Sequence, residues 1–220
     1  MTRLLLIRHA LNDYVKEQRL AGWTPGVHLS AEGVRQAEKL GRRLEDVPLA
    51  AVVSSPLERA IETAQAIAKH HDLEVETWPD LGEVRYGDWT GQPLKELAET
   101  DLWKQIMVHP GNARFPGGEA IFEVQARVIA ALERLSEAFP KGAVAVVAHA
   151  DVIKLAVAHY VGLPIDLYQR LVIAPASLTV LQNGHFAPHL FALNDTAHLS
   201  GRPEIPETED PQKEEGSSHD

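Results

Sequence analysis

Residues Arg3-Leu4-Leu5-Leu6-Ile7-Arg8-His9 decide the fold. Four large apolar residues in a row, bounded by charge, form the pattern of a strand buried on both faces of a parallel sheet. A second run, Val144 to Ala148, stops in the same way at His149. A third, Leu49-Ala50-Ala51-Val52-Val53, runs into Ser54-Ser55-Pro56-Leu57-Glu58-Arg59-Ala60, where a strand meets a helix start. Ligands of α/β sheets bind beyond the carboxyl ends of the strands, so position along the chain converges Arg8, His9, the Ser54–Arg59 loop and His149 on one face.

The intervals fill in as helices and loops. A polar loop over 10–29 precedes Ser30, which reads as the N-cap of a helix with the apolar stripe Val34, Ala37, Leu40 and Leu44. Ser55, Pro56 and Glu58 read as N-cap, first position and capping box of the next helix, with core face Leu57, Ala60, Ile61, Ala64, Ile67 and Ala68. An extended piece follows at Glu74–Trp78. The glycine- and proline-rich stretch 80–118 is expected to cross the active face with one short helix near 93–107. Then come a long helix over 119–138, the strand 143–148 and a helix from Asp151 to Val161. Leu178–Leu181 and His185–Leu190 are expected to close the sheet as a hairpin around Asn183-Gly184. Alternating strands and helices imply an α/β fold with a mostly parallel sheet.

Composition limits the function classes. At 220 residues and 45% hydrophobic, the chain can bury one sizeable core, so one domain is expected over 1–200. The acidic tail 201–220, rich in Pro, Glu, Ser and Asp, is expected to be disordered. The net charge is −10, and the two basic and seven acidic residues of 202–220 carry half of it. Neither nucleic acid nor an anionic membrane is an expected partner, because both recruit basic surfaces. Cysteine is absent, which excludes disulfides, thiolate catalysis and cysteine-ligated metals. With no signal-peptide pattern and no run near the ~18 apolar residues of a membrane span, a cytoplasmic protein is expected.

The residues at the strand ends read as phosphate chemistry. Arg8 and Arg59 supply planar, permanently charged forks matched to phosphate oxygens, and the helix start at Ser55 adds backbone N–H groups. Arg59, four positions after the expected N-cap, points back toward that loop. Positive neighbours disfavour the imidazolium form of His9 and keep a nitrogen lone pair available to attack phosphorus. His149 would hold the transferring phosphoryl group and stabilise its charge. Glu83, within Leu81-Gly82-Glu83-Val84-Arg85-Tyr86-Gly87, is the candidate acid for the leaving oxygen.

These motifs carry a family resemblance. Arg8-His9-Ala10, Ser55-Pro56-Leu57-Glu58-Arg59-Ala60-Ile61-Glu62-Thr63-Ala64, Glu83 before Tyr86-Gly87, and His149-Ala150 follow one another in the order and spacing of the histidine phosphatase superfamily. The chain resembles these phosphoglycerate mutase-like proteins over residues 3–190. The resemblance implies a three-layer α/β/α sandwich, transient phosphorylation of His9, a phosphate pocket of Arg8, Arg59 and His149, Glu83 as proton donor, and neither metal nor cofactor. Ala10 and Ala150 depart from the family's usual glycines. If either position needs positive φ, alanine costs on the order of 1 kcal/mol.

Phosphatase and mutase share the phosphohistidine step and differ in the acceptor. Mutases of the family carry Glu-Arg where Val84 follows Glu83 here, and an Arg-Arg pair for the substrate carboxylate where this chain offers Arg114 alone. Phe115-Pro116-Gly117-Gly118-Glu119 resembles the phosphatase side. Leu193-Asn194-Asp195-Thr196-Ala197-His198-Leu199 is similar to bacterial members named as phosphomutases. The missing arginine weighs more, because carboxylate recognition has a physical requirement. The expected activity is hydrolysis of a small phosphorylated metabolite; the alternatives are a cofactor-dependent phosphomutase and a catalytically weak module that binds phosphorylated ligands.

Asn12, Arg19, Gly22 and Arg114, with His28, are candidate substrate contacts on the loops. Asp151 reads as the N-cap of its helix, and Trp23 and Trp89 as packing anchors. Neither His70-His71 nor His185 and His189 makes a chelate: adjacent helix residues diverge by about 100°, and strand residues four apart are separated by about 13 Å. Oligomeric state is open, a homodimer included.

Overall fold

The computed structural model describes residues 1–183 and 187–199, so the expectations for the tail, for His185 and for the Gly184 turn lie outside the described residues. In chain order the elements are β1 (Thr2–Arg8), α1 (Asp13–Lys16), α2 (Ala31–Leu44), β2 (Leu49–Ser54), α3 (Glu58–Ala68), β3 (Val75–Thr77), α4 (Leu94–Leu97), α5 (Asp101–Val108), α6 (Ile121–Ala138), β4 (Ala143–Ala148), α7 (Ala150–Tyr160), β5 (Leu178–Asn183) and β6 (His189–Asp195). The sheet order is β3-β2-β4-β1-β5-β6. β1 pairs with β4, and β2 with β4 and β3, in parallel; β5 and β6 are added antiparallel.

Both faces of the central strands are covered, as the unbroken apolar runs require. Side chains alternate across a strand, so Leu4, Leu6, Val144 and Val146 pack with residues of α6 and α7. Leu5, Ile7, Ala145 and Val147 pack on the opposite side with residues of α2 and α3. The result is the expected three-layer α/β/α sandwich. Truncating a fully buried residue such as Ile7 or Leu4 to alanine would cost about 2–5 kcal/mol, which fixes the centre of the sheet firmly.

Several boundaries differ from the expectation. α3 begins at Glu58, two residues later than the capping-box reading, and its N-cap Leu57 makes no side-chain cap bond. Glu58 instead accepts from the Gly26 N–H at 2.9 Å. The helix expected near 93–107 is two, α4 and α5, and Thr100 caps the second by accepting from the Trp103 N–H at 3.2 Å. Val34 is 46% exposed because the buried face of α2 runs through Gly33, Ala37, Leu40, Gly41 and Leu44. α7 begins at Ala150 with His149 at its N-cap, so Asp151 is not the cap. The last strand is His189–Asp195 rather than 185–190, and its pairing with β5 is interrupted by register shifts.

Candidate active site

Parallel pairing places the ends of β1, β2 and β4 side by side, with Arg8 opposite Ala148 and Ser54 opposite Val147. The chain leaving each strand is pinned to the same neighbour: the His9 N–H donates to the Ala148 carbonyl at 3.0 Å and the Ser55 N–H to that of Val147 at 2.8 Å. His9 and His149 thereby stand with ring centroids 5.1 Å apart. Both are buried, at 3% and 0% exposure, as is Arg59 at 1%.

Hydrogen bonds set the ring tautomers. His9 Nδ1 lies 2.8 Å from the Ala10 carbonyl, which can only accept, so Nδ1 carries the proton and Nε2 keeps its lone pair. Burial, followed by the charges of Arg59 and Arg8, holds the His9 imidazole well below its ordinary range. His149 Nε2 bonds Ser55 Oγ at 2.8 Å, and its Nδ1 accepts from Arg59 Nη2 at 3.5 Å. The same causes, burial first and then Arg59, keep the His149 ring neutral.

The two arginines are held by carbonyls on one side and left open on the other. Arg8 Nη1 donates to Ile173 at 2.6 Å and Arg59 Nη2 to Gly22 at 2.8 Å. Gly22 adopts φ +50°, a left-handed conformation that favours glycine, and this aims its carbonyl at Arg59. Arg8 Nε, Arg59 Nε and Arg59 Nη1 are buried without partners. Buried cationic N–H groups with no acceptor are costly, so their alignment beside one cavity marks where an anion fits.

The cavity, of about 200 Å³, is lined by Arg8, His9, Asn12, Arg19, Arg59, Glu83, Tyr86 and Asp151 among others. Burial, reinforced by the nearby Asp151 charge, raises Glu83 to about 7 despite Arg59 and Arg8. Its Oε2 lies 3.7 Å from His149 Nδ1, a contact that is not an ion pair near neutral pH because the imidazole is neutral there. A neutral imidazole nitrogen, unpartnered guanidinium donors and a carboxylic acid that titrates near neutrality can together bind a phosphoryl group, attack it and protonate an oxygen.

The sequence-read loop residues divide. Asn12 and Arg19 line the cavity. Asn12 caps α1 through Oδ1, which accepts from the Val15 N–H at 2.9 Å, while its buried Nδ2 has no partner. Gly22 contributes its carbonyl to Arg59. Arg114 is not brought in: its guanidinium is taken by Glu123 and by the Gly118 carbonyl at 3.1 Å. His28 pairs with Glu62 on the exposed surface. Ala10 and Ala150 avoid the left-handed region, so replacing the usual glycines strains neither position. Trp89 packs against Trp103 and Phe115, and the Trp23 indole N–H donates to the Glu83 carbonyl at 2.6 Å.

Three contributors escaped the sequence reading. Ser55, read as a helix cap, orients His149. Asp151, read as a cap, accepts from the Tyr86 hydroxyl at 3.2 Å on the cavity wall. Arg127 of α6 donates to the carbonyls of Asp80, Gly82 and Glu83 at 2.7, 2.9 and 3.0 Å, and so fixes the backbone that carries Glu83. Only the apolar spacing of α6 was available as a signal, and it does not report what a polar residue reaches. Among the described residues no group of three or more His, Asp or Glu is placed to hold a metal ion. No helix among them is long and apolar enough to cross a membrane.

The family model of the histidine phosphatase superfamily, branch 1, matches residues 4–196. The chain belongs to that superfamily. An uncharacterized phosphatase, PhoE, of Bacillus subtilis is 32% identical over 205 residues, covering 91% of this chain and 98% of that protein. Phosphoserine phosphatase 1 of Hydrogenobacter thermophilus is 28% identical over 201 residues, covering 90% and 95%. Among solved structures, a phosphoserine phosphatase mutant from Entamoeba histolytica in complex with phosphoserine superposes with a TM-score of 0.83 at 26% identity. That similarity covers 90% of this chain and all of the other. The family model thus spans β2 to β6 and all of β1 except its first two residues.

Proposed function

We propose that this histidine phosphatase hydrolyses phosphomonoesters of small metabolites, without a metal, through a phosphohistidine at His9. The single observation that carries the reading is the unprotonated His9 Nε2 standing beside buried, unpartnered N–H groups of Arg8 and Arg59. In the first step Nε2 bonds to phosphorus as the ester P–O bond breaks, and Glu83 gives its proton to the departing alkoxide. In the second, water attacks the phosphohistidine, Glu83 takes the water's proton, and inorganic phosphate leaves with His9 restored. His149, its ring centroid 5.1 Å from that of His9, stands close enough for the negative charge of the phosphoryl group to favour protonation of a ring that burial and the arginines otherwise keep neutral.

The size of the cavity supports a small substrate: about 200 Å³ is less than the ~300–1,000 Å³ that encloses a drug-sized ligand. The engagement of Arg114 by Glu123 supports water, rather than a bound phosphoglycerate, as acceptor, because the arginine pair that the mutases use for a substrate carboxylate is then missing from the 114 position. The test is phosphate release from a panel of phosphometabolites and p-nitrophenyl phosphate, with EDTA present and His9→Ala as control. Release by the unaltered enzyme alone, with an acid-labile phosphoenzyme, is the expected result. Interconversion of phosphoglycerates with little free phosphate would instead select the mutase reading.

A further inference from the structure

The segment Leu193–Leu199, noted in the sequence but unused by the chemistry above, lies under the site rather than in it. Asn194 adopts φ +55°, a conformation asparagine tolerates better than most residues, at the irregular end of the β5–β6 pairing. Its Oδ1 accepts from the Ala174 N–H at 2.6 Å, and its own N–H donates to Thr179 Oγ1 at 3.1 Å. Ala174 belongs to the stretch whose Ile173 carbonyl receives Arg8 Nη1 at 2.6 Å. Two residues on, the Ala176 N–H is shared between the carbonyls of Arg8 and His9 at 3.1 and 3.3 Å. The segment is fastened to α2 beyond that point: Asp195 pairs with Arg43, and Lys39 Nζ donates to the Leu199 carbonyl at 3.0 Å. Leu199 packs against Ala10, Ala37 and Ala176.

We propose that Asn194 is a positioning residue for Arg8, acting through Ala174 and the Ile173 carbonyl, with the Arg43–Asp195 pair as its anchor. The proposal rests on the reading of Arg8 as a phosphate ligand. A guanidinium fixed at one end by a single carbonyl points its remaining donors wherever that carbonyl is held, and displacement of about 1 Å in a catalytic group can lower rates by ~10²-fold. The segment thus serves phosphate binding from beneath the sheet end, without touching phosphate.

The experiment compares Asn194→Gly, Asn194→Asp, Arg43→Met, Arg8→Ala and the double variant Asn194→Gly/Arg8→Ala. The readouts are the affinity for inorganic phosphate by calorimetry and kcat/KM on p-nitrophenyl phosphate. Glycine keeps the left-handed backbone and deletes the acceptor, whereas aspartate keeps both. Asn194→Gly is expected to weaken phosphate binding and lower kcat/KM by about tenfold, and Asn194→Asp to stay within about threefold of the parent. In the Arg8→Ala background the glycine change should alter phosphate affinity by less than about twofold. Parental phosphate affinity and kcat/KM in folded Asn194→Gly, or an equal loss with Arg8 absent, would overturn the proposal whatever the change in Tm. If Asn194→Gly does not fold, Arg43→Met decides: a two- to fivefold loss in phosphate affinity, about that expected of a loosened anchor, supports the proposal, and none overturns it. Undiminished phosphate binding by Arg8→Ala alone would instead refute the reading of Arg8.

Discussion

The two halves of the cavity are built from different materials. The phosphate half stands on three parallel strand ends, and His9, Arg59 and His149 are no more than 3% exposed. The opposite wall comes from the loop after β1 and from the start of α4, with Gln18, Arg19, Leu20 and Leu94; the Arg19 side chain is 39% exposed. Backbone bonds join both halves to their neighbours, the second through Leu20 N–H to the Gln92 carbonyl at 3.0 Å and Leu94 N–H to that of Gln18 at 2.8 Å, so the halves differ in the burial of their side chains. Fully buried side chains make recognition of phosphate rigid and half-exposed ones on short loops leave that of the leaving group adjustable, which is how one fold can serve many phosphomonoesters.

Substitutions across the two halves can break this contrast. The largest effect is expected at His9: His9→Ala should lower kcat by at least about 10³-fold and abolish the acid-labile phosphoenzyme, seen by rapid quench. Arg59→Met, which removes buried donors, should cost about 10²–10³-fold in kcat/KM on every substrate alike. A substrate-selective loss at Arg59 would show that the rigid half also reads the leaving group.

Glu83 sits between the halves and sharpens the comparison. Glu83→Gln should lower kcat by about 10²-fold on alkyl phosphates and far less on p-nitrophenyl phosphate, whose leaving group needs no proton. The acid form is required, so the parent's kcat/KM should fall as pH rises through about 7, and this limb should vanish in Glu83→Gln. No opposing limb from His9 is expected until well below its ordinary range. The same group makes stability depend on pH. Between 4.5 and about 7 the folded protein keeps a proton on Glu83 that the unfolded chain has lost, so the parent loses stability as pH rises through that window. Glu83→Gln, which has nothing to lose there, should gain on the parent by up to about 3 kcal/mol between pH 4.5 and 8 in urea unfolding.

Smaller effects belong to the adjustable wall. Arg19→Ala should raise KM a few-fold with little change in kcat, and by different factors for different substrates. Arg114→Ala, outside the cavity, should leave kcat/KM within about twofold; a larger loss would bring the mutase reading back.

The strands and the groups at their ends were legible because a run of apolar residues ending in Arg-His has few other interpretations. Ser55 and Asp151 were incompletely read for a shared reason: each suits a helix cap locally, and Ser55 Oγ does accept from the Leu57 N–H at 3.3 Å, but each also bonds a partner far along the chain, His149 and Tyr86. Arg114 failed in the opposite direction, since Glu123, near in sequence, takes the guanidinium that the pattern offered to substrate. Local propensity speaks for a polar side chain only until a tertiary partner outbids it.

The residue-by-residue register of β1 against β4 implies a particular tolerance to change. A one-residue deletion in either strand would shift its terminal histidine by about 3.3 Å and turn alternate side chains to the wrong face. The loops beyond the strands obey no such ruler. Over evolutionary time the lineage is therefore free to lengthen, shorten and exchange the segments that choose a substrate, while the distance from sheet to phosphorus stays counted in whole residues.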